Sequence, residues 1–272
     1  MKKILLAFDE TNFSEGAFEF ARRLNELSPI LLTAVFLPQS QIANAWSYAA
    51  TGAAFVPLLE TDEANQIEKN IARFKELCES CSIEYRVHKD YFDLAIPALK
   101  KESRFADLVI LGSEAFYSEF SEQDQQQYLE QVLHDLWCPV IVVPEKYSFP
   151  QSVTLTYDAS NSSIFAIKQF AYLFPELCNK DVMLVYVSDD DTKSLPEMQQ
   201  MEELAGRHFP NLSMLNLRLD TKALFNTWLS ERRSSILVCG SYGRSGISQL
   251  FKKSFITDII GEHMLPVFIA HR

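Results

Sequence analysis

Residues 236–254 of this chain read ILVCGSYGRSGISQLFKKS. The apolar run at the start is typical of a strand that is buried on both faces of a parallel sheet. Three of the chain's eight glycines follow it, at Gly240, Gly243 and Gly246. Because glycine has no Cβ, its backbone amides can turn towards an anion, and open parallel sheets bind ligands at the carboxyl ends of their strands. The stretch therefore predicts an α/β fold with a candidate anion-binding loop.

The polar residues around these glycines leave two interpretations open. Hydroxyl and basic side chains are clustered here in an otherwise acidic protein: Ser241, Arg244, Ser245, Lys252, Lys253 and Ser254. They supply the donors and the positive charge that a phosphate needs. The alternative is a glycine turn that ends a strand and is followed by a solvated basic helix.

Short apolar runs alternate with amphipathic helical patterns along the whole chain, in the same order twice. The first half has apolar runs at 2–8, 30–37, 83–87, 107–111 and 140–143. The second half has apolar runs at 152–157, 182–187, 212–219, 235–239 and 267–270. Buried strands joined by helices favour right-handed crossovers within a parallel sheet. Each half is therefore predicted to be a doubly wound α/β unit.

Matching landmarks indicate that this repeat is a duplication with one insertion. The sequence CPVIVV at 138–143 matches LPVFIA at 265–270, and each ends its half. We predict two domains, 1–146 and 150–272, with the insertion at 38–60 in the first. The insertion is unusually apolar for a connection, so it either seals the sheet edge as a short helix or forms a contact surface.

An aspartate follows the first strand of each half, Asp9 and Asp158. At the carboxyl edge of the sheet, a carboxylate can accept hydrogen bonds from a ligand hydroxyl or amino group. A short acidic side chain is also typical of a helix start, where it caps free amide groups. Both interpretations stay open for these two residues.

Composition restricts the class of protein. The formal net charge of −11 over 272 residues disfavours general binding to nucleic acids or to anionic membranes. No run of 18 apolar residues is present, and the first apolar run ends at Asp9, which is too early for a signal peptide. Five cysteines suggest reduced thiols. We expect a soluble cytoplasmic protein.

The duplicated α/β unit, the early aspartate and the glycine loop resemble the universal stress protein (UspA-like) family. The resemblance covers nearly the whole chain, as a tandem arrangement. Nucleotide-binding members carry G-x-x-G, nine further residues, then G followed by Ser or Thr. This chain matches at Gly240, Gly243 and Ser254, whereas Lys253 stands where the family has its third glycine.

The resemblance implies a fold and a set of binding residues. Each domain would have a five-stranded parallel sheet in the Rossmann-like order 3-2-1-4-5. The fifth strands, 140–143 and 267–270, would pair antiparallel within one chain, and chains could also form a homodimer. ATP, with Mg²⁺, would be the ligand. Asp158 and the main chain at Val187 would face the adenosine, and the residues facing the phosphates would be Gly240, Gly243 and Ser254.

Lys253 leaves two outcomes for the phosphate site. A side chain at a position that favours close backbone approach would obstruct the phosphate. Alternatively, the Lys253 ammonium group would contact the phosphate directly.

The first half has lost more of the glycine pattern. Gly112 is followed by Ser113, Glu114 and Ala115, with no second glycine. Acidic residues follow where phosphate would lie, so we predict no ATP site in this half.

Other motifs predict no chemistry. Cys78 and Cys81 form a CxxC near the end of a predicted helix, without the further ligands that zinc needs. The run 189–191 (DDD) is typical of a solvated acidic turn. No Walker motif or nucleophile elbow is present, and no catalytic residue or metal ligand is predicted.

Two functions follow from the sequence. The first is a stress-response regulatory protein that binds an adenine nucleotide in its C-terminal domain. The second is a nucleotide-independent interaction module with a protein partner of unknown identity.

Overall fold

The computed structural model describes residues 1–9, 12–37, 61–89, 95–114, 129, 132–188, 195, 197–218, 222–240 and 259–270. The predicted insertion at 38–60 and the acidic run 189–191 lie outside these residues.

Strands and helices alternate along the chain. The strands are β1 Lys2–Asp9, β2 Ile30–Leu37, β3 Glu84–Lys89, β4 Leu108–Gly112, β5 Val140–Val143, β6 Ser152–Tyr157, β7 Asp181–Ser188, β8 Leu212–Arg218, β9 Ser235–Gly240 and β10 Val267–Ala270. The helices are α1 Glu15–Leu27, α2 Thr61–Ser80, α3 Ala95–Ser103, α4 Asn161–Leu173, α5 Pro175–Cys178, α6 Met198–His208 and α7 Lys222–Ser230.

All ten strands form one continuous sheet in the order β3-β2-β1-β4-β5-β10-β9-β6-β7-β8. Within each half the strands are parallel and have the order 3-2-1-4-5 that the resemblance implied. At the centre β5 and β10 pair antiparallel, with Val142 opposite Val267 and Val140 opposite Ile269. The strands of the two halves therefore run in opposite directions, and their carboxyl ends lie at opposite edges of the sheet.

Alternation along the strands creates two apolar layers that cover both faces of the sheet. Ile4 and Leu6 contribute to one layer, whereas Leu5 and Ala7 contribute to the other. Each layer includes residues from both halves, because the joined strands β5 and β10 carry the core across the centre. The all-apolar strands that the sequence predicts are explained by this burial on both sides.

Local backbone geometry decides two details that hydrophobic periodicity does not. α6 begins at Met198, because the residue before it, Glu197, has a left-handed backbone, φ 51°. A left-handed residue cannot continue a right-handed helix. The short helix α5 was not predicted, since Pro175 reads as the end of α4. Proline is well accommodated at the first position of a helix, where its missing N–H has no partner in any case.

Among the described residues, no helix is both long enough and apolar enough to cross a membrane.

Candidate functional site

The carboxyl edge of the second half brings three predicted residues to neighbouring strands. Gly240 ends β9, Asp158 follows β6, and Val187 is the next-to-last residue of β7. β6 lies between β9 and β7, and Tyr157 is in register with Tyr186. Parallel strands end at the same edge, so these residues line one side of the sheet.

Gly240 is required because β9 ends directly against α4. A Cβ built at Gly240 would lie 2.4 Å from both the backbone carbon of Ser162 and the backbone nitrogen of Ser163. Such contacts are with backbone rather than with a flexible side chain, so a larger residue would force α4 away from β9. The glycine therefore fixes the first turn of α4 beside the end of β9.

Asp158 shapes the turn that leads into α4 but is not the helix cap. Its Oδ1 accepts a hydrogen bond from the Ser160 amide at 2.9 Å. Ser160 is the N-cap, and its Oγ accepts from the Ser163 amide at 3.1 Å. The interpretation of Asp158 as the cap of this helix is thus wrong. Serine takes that place, which leaves the half-buried carboxylate at the sheet edge.

The remaining predicted residues lie outside the part of the chain that the structure describes. These are Gly243, Lys253 and Ser254 in the loop after β9. The side chains of Val187 and Asp9 are also not described, although both residues belong to strands.

The first half uses its corresponding edge differently. Gly112 ends β4 as Gly240 ends β9, and a Cβ there would lie 2.4 Å from Ser14 Oγ. Ser14 is the N-cap of α1, and its Oγ accepts from the Ala17 amide at 3.2 Å. Each half therefore places a strand-ending glycine against the start of its first helix.

Glu145 fills the space at the start of α1. Its Oε2 accepts from the Gly16 amide at 2.9 Å, and its Oε1 accepts from the Ser14 hydroxyl. A carboxylate in this position satisfies a free first-turn amide and interacts favourably with the helix dipole. Glu145 was not predicted from sequence. The available signal was an acidic residue two positions after β5, beside a helix start with no acidic cap.

A second carboxylate and a histidine extend this network across the centre of the sheet. Glu114 Oε2 accepts from the Glu145 amide at 2.7 Å and from the Ser113 hydroxyl at 2.8 Å. Ser113 Oγ also lies 2.7 Å from Nδ1 of His263, which belongs to the second half. Acidic residues therefore do lie at this edge of the first half, and they hold its last strand to α1.

The cysteines form no disulfide. All five are free, and Cys78 of the CxxC pair is buried whereas Cys81 is half-buried. Burial raises the pKa of the Cys78 thiol to about 12, which is the opposite of what a redox-active thiolate requires. Within the described ranges, no cluster of three or more metal-ligating side chains is found.

Comparisons with known proteins identify the fold. No family model and no curated protein sequence matches this chain. Among solved structures, a universal stress protein from Archaeoglobus fulgidus DSM 4304 superposes with a TM-score of 0.69 at 16% identity, covering 100% of this chain and 96% of that one.

Two structures from Pseudomonas aeruginosa also superpose over 100% of this chain. A candidate universal stress protein gives a TM-score of 0.55 at 12% identity, covering 93% of that chain. A protein of unknown function gives 0.53 at 13% identity, covering 92% of that chain. At these identities the comparisons show the fold, which is the Rossmann-like α/β fold of the universal stress proteins.

Proposed function

We propose that this chain is a regulatory protein of the universal stress protein type that binds an adenine nucleotide, ATP with Mg²⁺, in its second half. Asp158 and the main chain at Val187 contact the adenosine. Gly240, Gly243, Lys253 and Ser254 contact the phosphates. Nucleotide occupancy would shift an interaction with a partner rather than drive turnover, since a ligand shifts a conformational equilibrium only by its differential affinity.

One observation carries this proposal: the second backbone amide of α1 has an acceptor, whereas the second backbone amide of α4 has none among the described residues. The second amide of α1, at Gly16, donates to Glu145. The corresponding amide of α4 is that of Ser162, which has no acceptor among the described residues. Free amides at a helix start favour an anion, and Gly240 holds this start beside the end of β9, which the glycine loop follows in the sequence. This difference supports a phosphate in the second half, whereas the helix start of the first half is filled by its own carboxylate.

Lys253 then contributes through its ammonium group. In a half with an anion-accepting helix start, a lysine after the glycine loop adds a charge-assisted donor. The expected consequence is an affinity that falls when Lys253 is replaced by Gln and is kept when it is replaced by Arg.

Calorimetric titration with ATP and Mg²⁺ tests the proposal. Wild type should bind one nucleotide per chain, and Asp158→Ala should weaken binding by about tenfold or more, because hydrogen bonds to a charged group contribute about 1.5–3 kcal/mol. Asp9→Ala removes the corresponding carboxylate of the first half and is the matched control, expected to bind ATP as wild type does. Absence of saturable binding at millimolar ATP would contradict the proposal.

The second candidate, a nucleotide-independent interaction module, is favoured by two exposed aromatic side chains. Phe105 and Trp137 are 66% and 69% exposed. The segments that carry these two residues are linked by a hydrogen bond, which the Trp137 amide donates to Ser103 Oγ at 3.1 Å. Exposed aromatic side chains are typical of interfaces. Sedimentation of wild type and of Trp137→Glu, with and without ATP, would separate the two candidates. A homodimer that the substitution dissociates and ATP leaves unchanged favours the module.

A further inference from the structure

The antiparallel pairing of β5 with β10 brings the amino ends of the first-half strands to the same edge of the sheet as the carboxyl ends of the second-half strands. Ile269 of β10 lies opposite Val140, the first residue of β5, and Ala270 is in register with Gly240 of β9. Because neighbouring strands are about 4.8 Å apart, the start of β5 lies about 10 Å from the end of β9. The segments that precede β4 and β5 therefore lie at the edge that carries Gly240.

A contact at the opposite edge of the sheet agrees with this arrangement. His263 precedes β10 by four residues, and its Nδ1 lies 2.7 Å from Oγ of Ser113, which directly follows the end of β4. The segment before the fifth strand of the second half thus contacts a strand end of the first half. The repeat gives the segment before β5, which includes Leu136 and Trp137, the corresponding place beside the end of β9.

Two large aromatic side chains at this edge are exposed to solvent, Phe105 before β4 and Trp137 before β5. Both are carried by backbone that is fixed by hydrogen bonds. The Phe105 amide donates to the Glu102 carbonyl at 3.0 Å, and the Trp137 amide donates to the hydroxyl of the buried Ser103 at 3.1 Å. Exposed aromatic rings on ordered backbone are typical of interaction surfaces.

The unpaired charge beside these rings is positive. Lys101 and Arg104 are exposed, and neither makes an ion pair with a described carboxylate. The Arg104 guanidinium lies over the Phe105 ring at 5.7 Å. The three carboxylates of residues 100–107 and 134–138 each have a partner: Glu102 with His88, Asp135 with Lys100, and Asp107 with the Lys3 backbone amide. This local charge contrasts with the net charge of −11 of the whole chain.

We propose that the aromatic surface formed by Lys101, Arg104, Phe105 and Trp137 binds an acidic segment of a protein partner that also carries apolar side chains. The rings bury the apolar side chains of the segment, and the two cations face its carboxylates. A second copy of this chain fits less well, since a twofold contact of the aromatic surface with itself would bring like charges together. Nucleic acid is disfavoured by the net charge of the chain.

The position of the aromatic surface has a consequence for regulation, which rests on the proposed nucleotide function. A triphosphate beside the end of β9 would add negative charge about 10 Å from the start of β5. Bound ATP should therefore weaken binding of the acidic segment, and the segment should weaken binding of ATP by the same factor. Because the separation is close to the Debye length, we expect a factor of about two to five.

Selection of random twelve-residue peptides on the immobilised full chain, without nucleotide, identifies a probe for this surface. Peptides that also bind the Trp137→Ser variant are removed in each round. The selected peptides should be enriched in Asp and Glu together with aromatic or aliphatic residues. A labelled synthetic copy of the peptide that is selected most often is then used to measure affinity by fluorescence anisotropy.

Four variants at exposed positions test the residues of the aromatic surface. Trp137→Ser should weaken peptide binding at least tenfold, because a tryptophan at the centre of an interface contributes strongly. Lys101→Gln and Arg104→Gln should each weaken it by about twofold to fivefold, since exposed ion pairs are screened. Tyr172→Ser, at an exposed aromatic residue of α4, is the matched control and should bind as wild type does.

Selected peptides without acidic enrichment overturn the proposal, as does equal affinity for wild type and Trp137→Ser. A homodimer that Trp137→Ser dissociates also overturns it, because a second copy then occupies the aromatic surface.

Titration of the peptide with and without Mg²⁺-ATP tests the link to the nucleotide. Asp158→Ala should keep the peptide affinity of wild type without nucleotide, and should need at least tenfold more ATP for the same effect. Equal peptide affinity with and without ATP, in a protein that binds ATP, overturns the link. A wild type that binds the peptide but not ATP contradicts the proposed nucleotide function and leaves the aromatic surface supported.

Discussion

The starts of α1 and α4 are the two most informative regions to compare, because they occupy the same position in a duplicated unit. Each is capped by a serine, Ser14 or Ser160, and each lies against a strand-ending glycine. They differ in what accepts a hydrogen bond from the second amide of the helix. In α1 the Gly16 amide donates to Glu145, whereas the Ser162 amide of α4 has no acceptor among the described residues.

The sequences of the two halves differ at the matching position two residues after the fifth strand. Alignment of VIVV at 140–143 with VFIA at 267–270 places Glu145 opposite Arg272. A carboxylate at this position supplies an internal anion to the helix start, whereas a guanidinium does not. The comparison teaches that one acidic residue from the chain itself can fill a helix start, without any change of fold.

The largest expected effect concerns the two strand-ending glycines. Gly240→Ala should lower the free energy of unfolding by about 3 kcal/mol, because the new Cβ meets backbone atoms of α4 at 2.4 Å. Gly112→Ala should cost about 1–2 kcal/mol, because its Cβ meets Oγ and Cβ of Ser14 at 2.4 and 2.8 Å, and turning the hydroxyl away gives up the cap of α1. Urea denaturation measures both values.

Gly206→Ala is the control for this pair. A Cβ at Gly206, inside α6, meets nothing within 4 Å, so the substitution should stabilise the protein by about 0.5–1 kcal/mol. Equal losses for the Gly240 and Gly112 variants would show that the glycine turns do not differ in the way described.

A smaller effect on stability is expected at Glu145, the carboxylate that fills the start of α1. Glu145→Gln removes the charge next to the start of α1, and should lower the free energy of unfolding by about 1–2 kcal/mol. Thermal or urea denaturation at low and high salt checks this value. Glu203→Gln on the exposed face of α6 should change it by less than about 0.5 kcal/mol. A Glu145 variant as stable as that control would mean that the carboxylate does not hold α1.

The smallest expected effect is a difference between the ends of β4 and β9 in how stability depends on pH. Cys239 in β9 takes the place that Leu111 has in β4, and burial raises its pKa from 9.0 to about 12. The folded state keeps the thiol protonated, so its contribution to stability is complete below pH 9 and is lost between about pH 9 and 12.

Comparison of wild type with Cys239→Ala over pH 8 to 10 measures this contribution. The variant should lose about 1 kcal/mol less stability than wild type between pH 9 and pH 10, since one pKa unit corresponds to about 1.4 kcal/mol. Parallel pH profiles for the two proteins would exclude titration of this thiol.

The inner strands were predictable from the sequence because burial on both faces of a parallel sheet imposes an apolar run on them, whereas the outer strands β3 and β8 are partly exposed. The bounds of β2, β5, β6 and β10 agree with the predicted runs, and the other strands differ by one or two residues. Local backbone geometry instead decides the start of α6, at Glu197, and the short helix α5, at Pro175. Neither has a strong periodic signal.

The candidate site was only partly predictable. Position at a strand end identified Gly240 and Asp158, since topology alone brings such residues to one edge. Glu145 was missed because it acts on α1, which lies more than a hundred residues away in the sequence. Long-range contacts of this kind carry no local pattern.

Sequence by itself determined that the chain is a twofold repeat of alternating strands and helices, since hydrophobic period and spacing are local properties that each half displays. Tertiary structure alone decided which helix start keeps a free amide and which is filled by Glu145. The physical reason is that hydrogen-bond satisfaction is settled by the three-dimensional neighbours of each group, which only the closed sheet and its packed helices define.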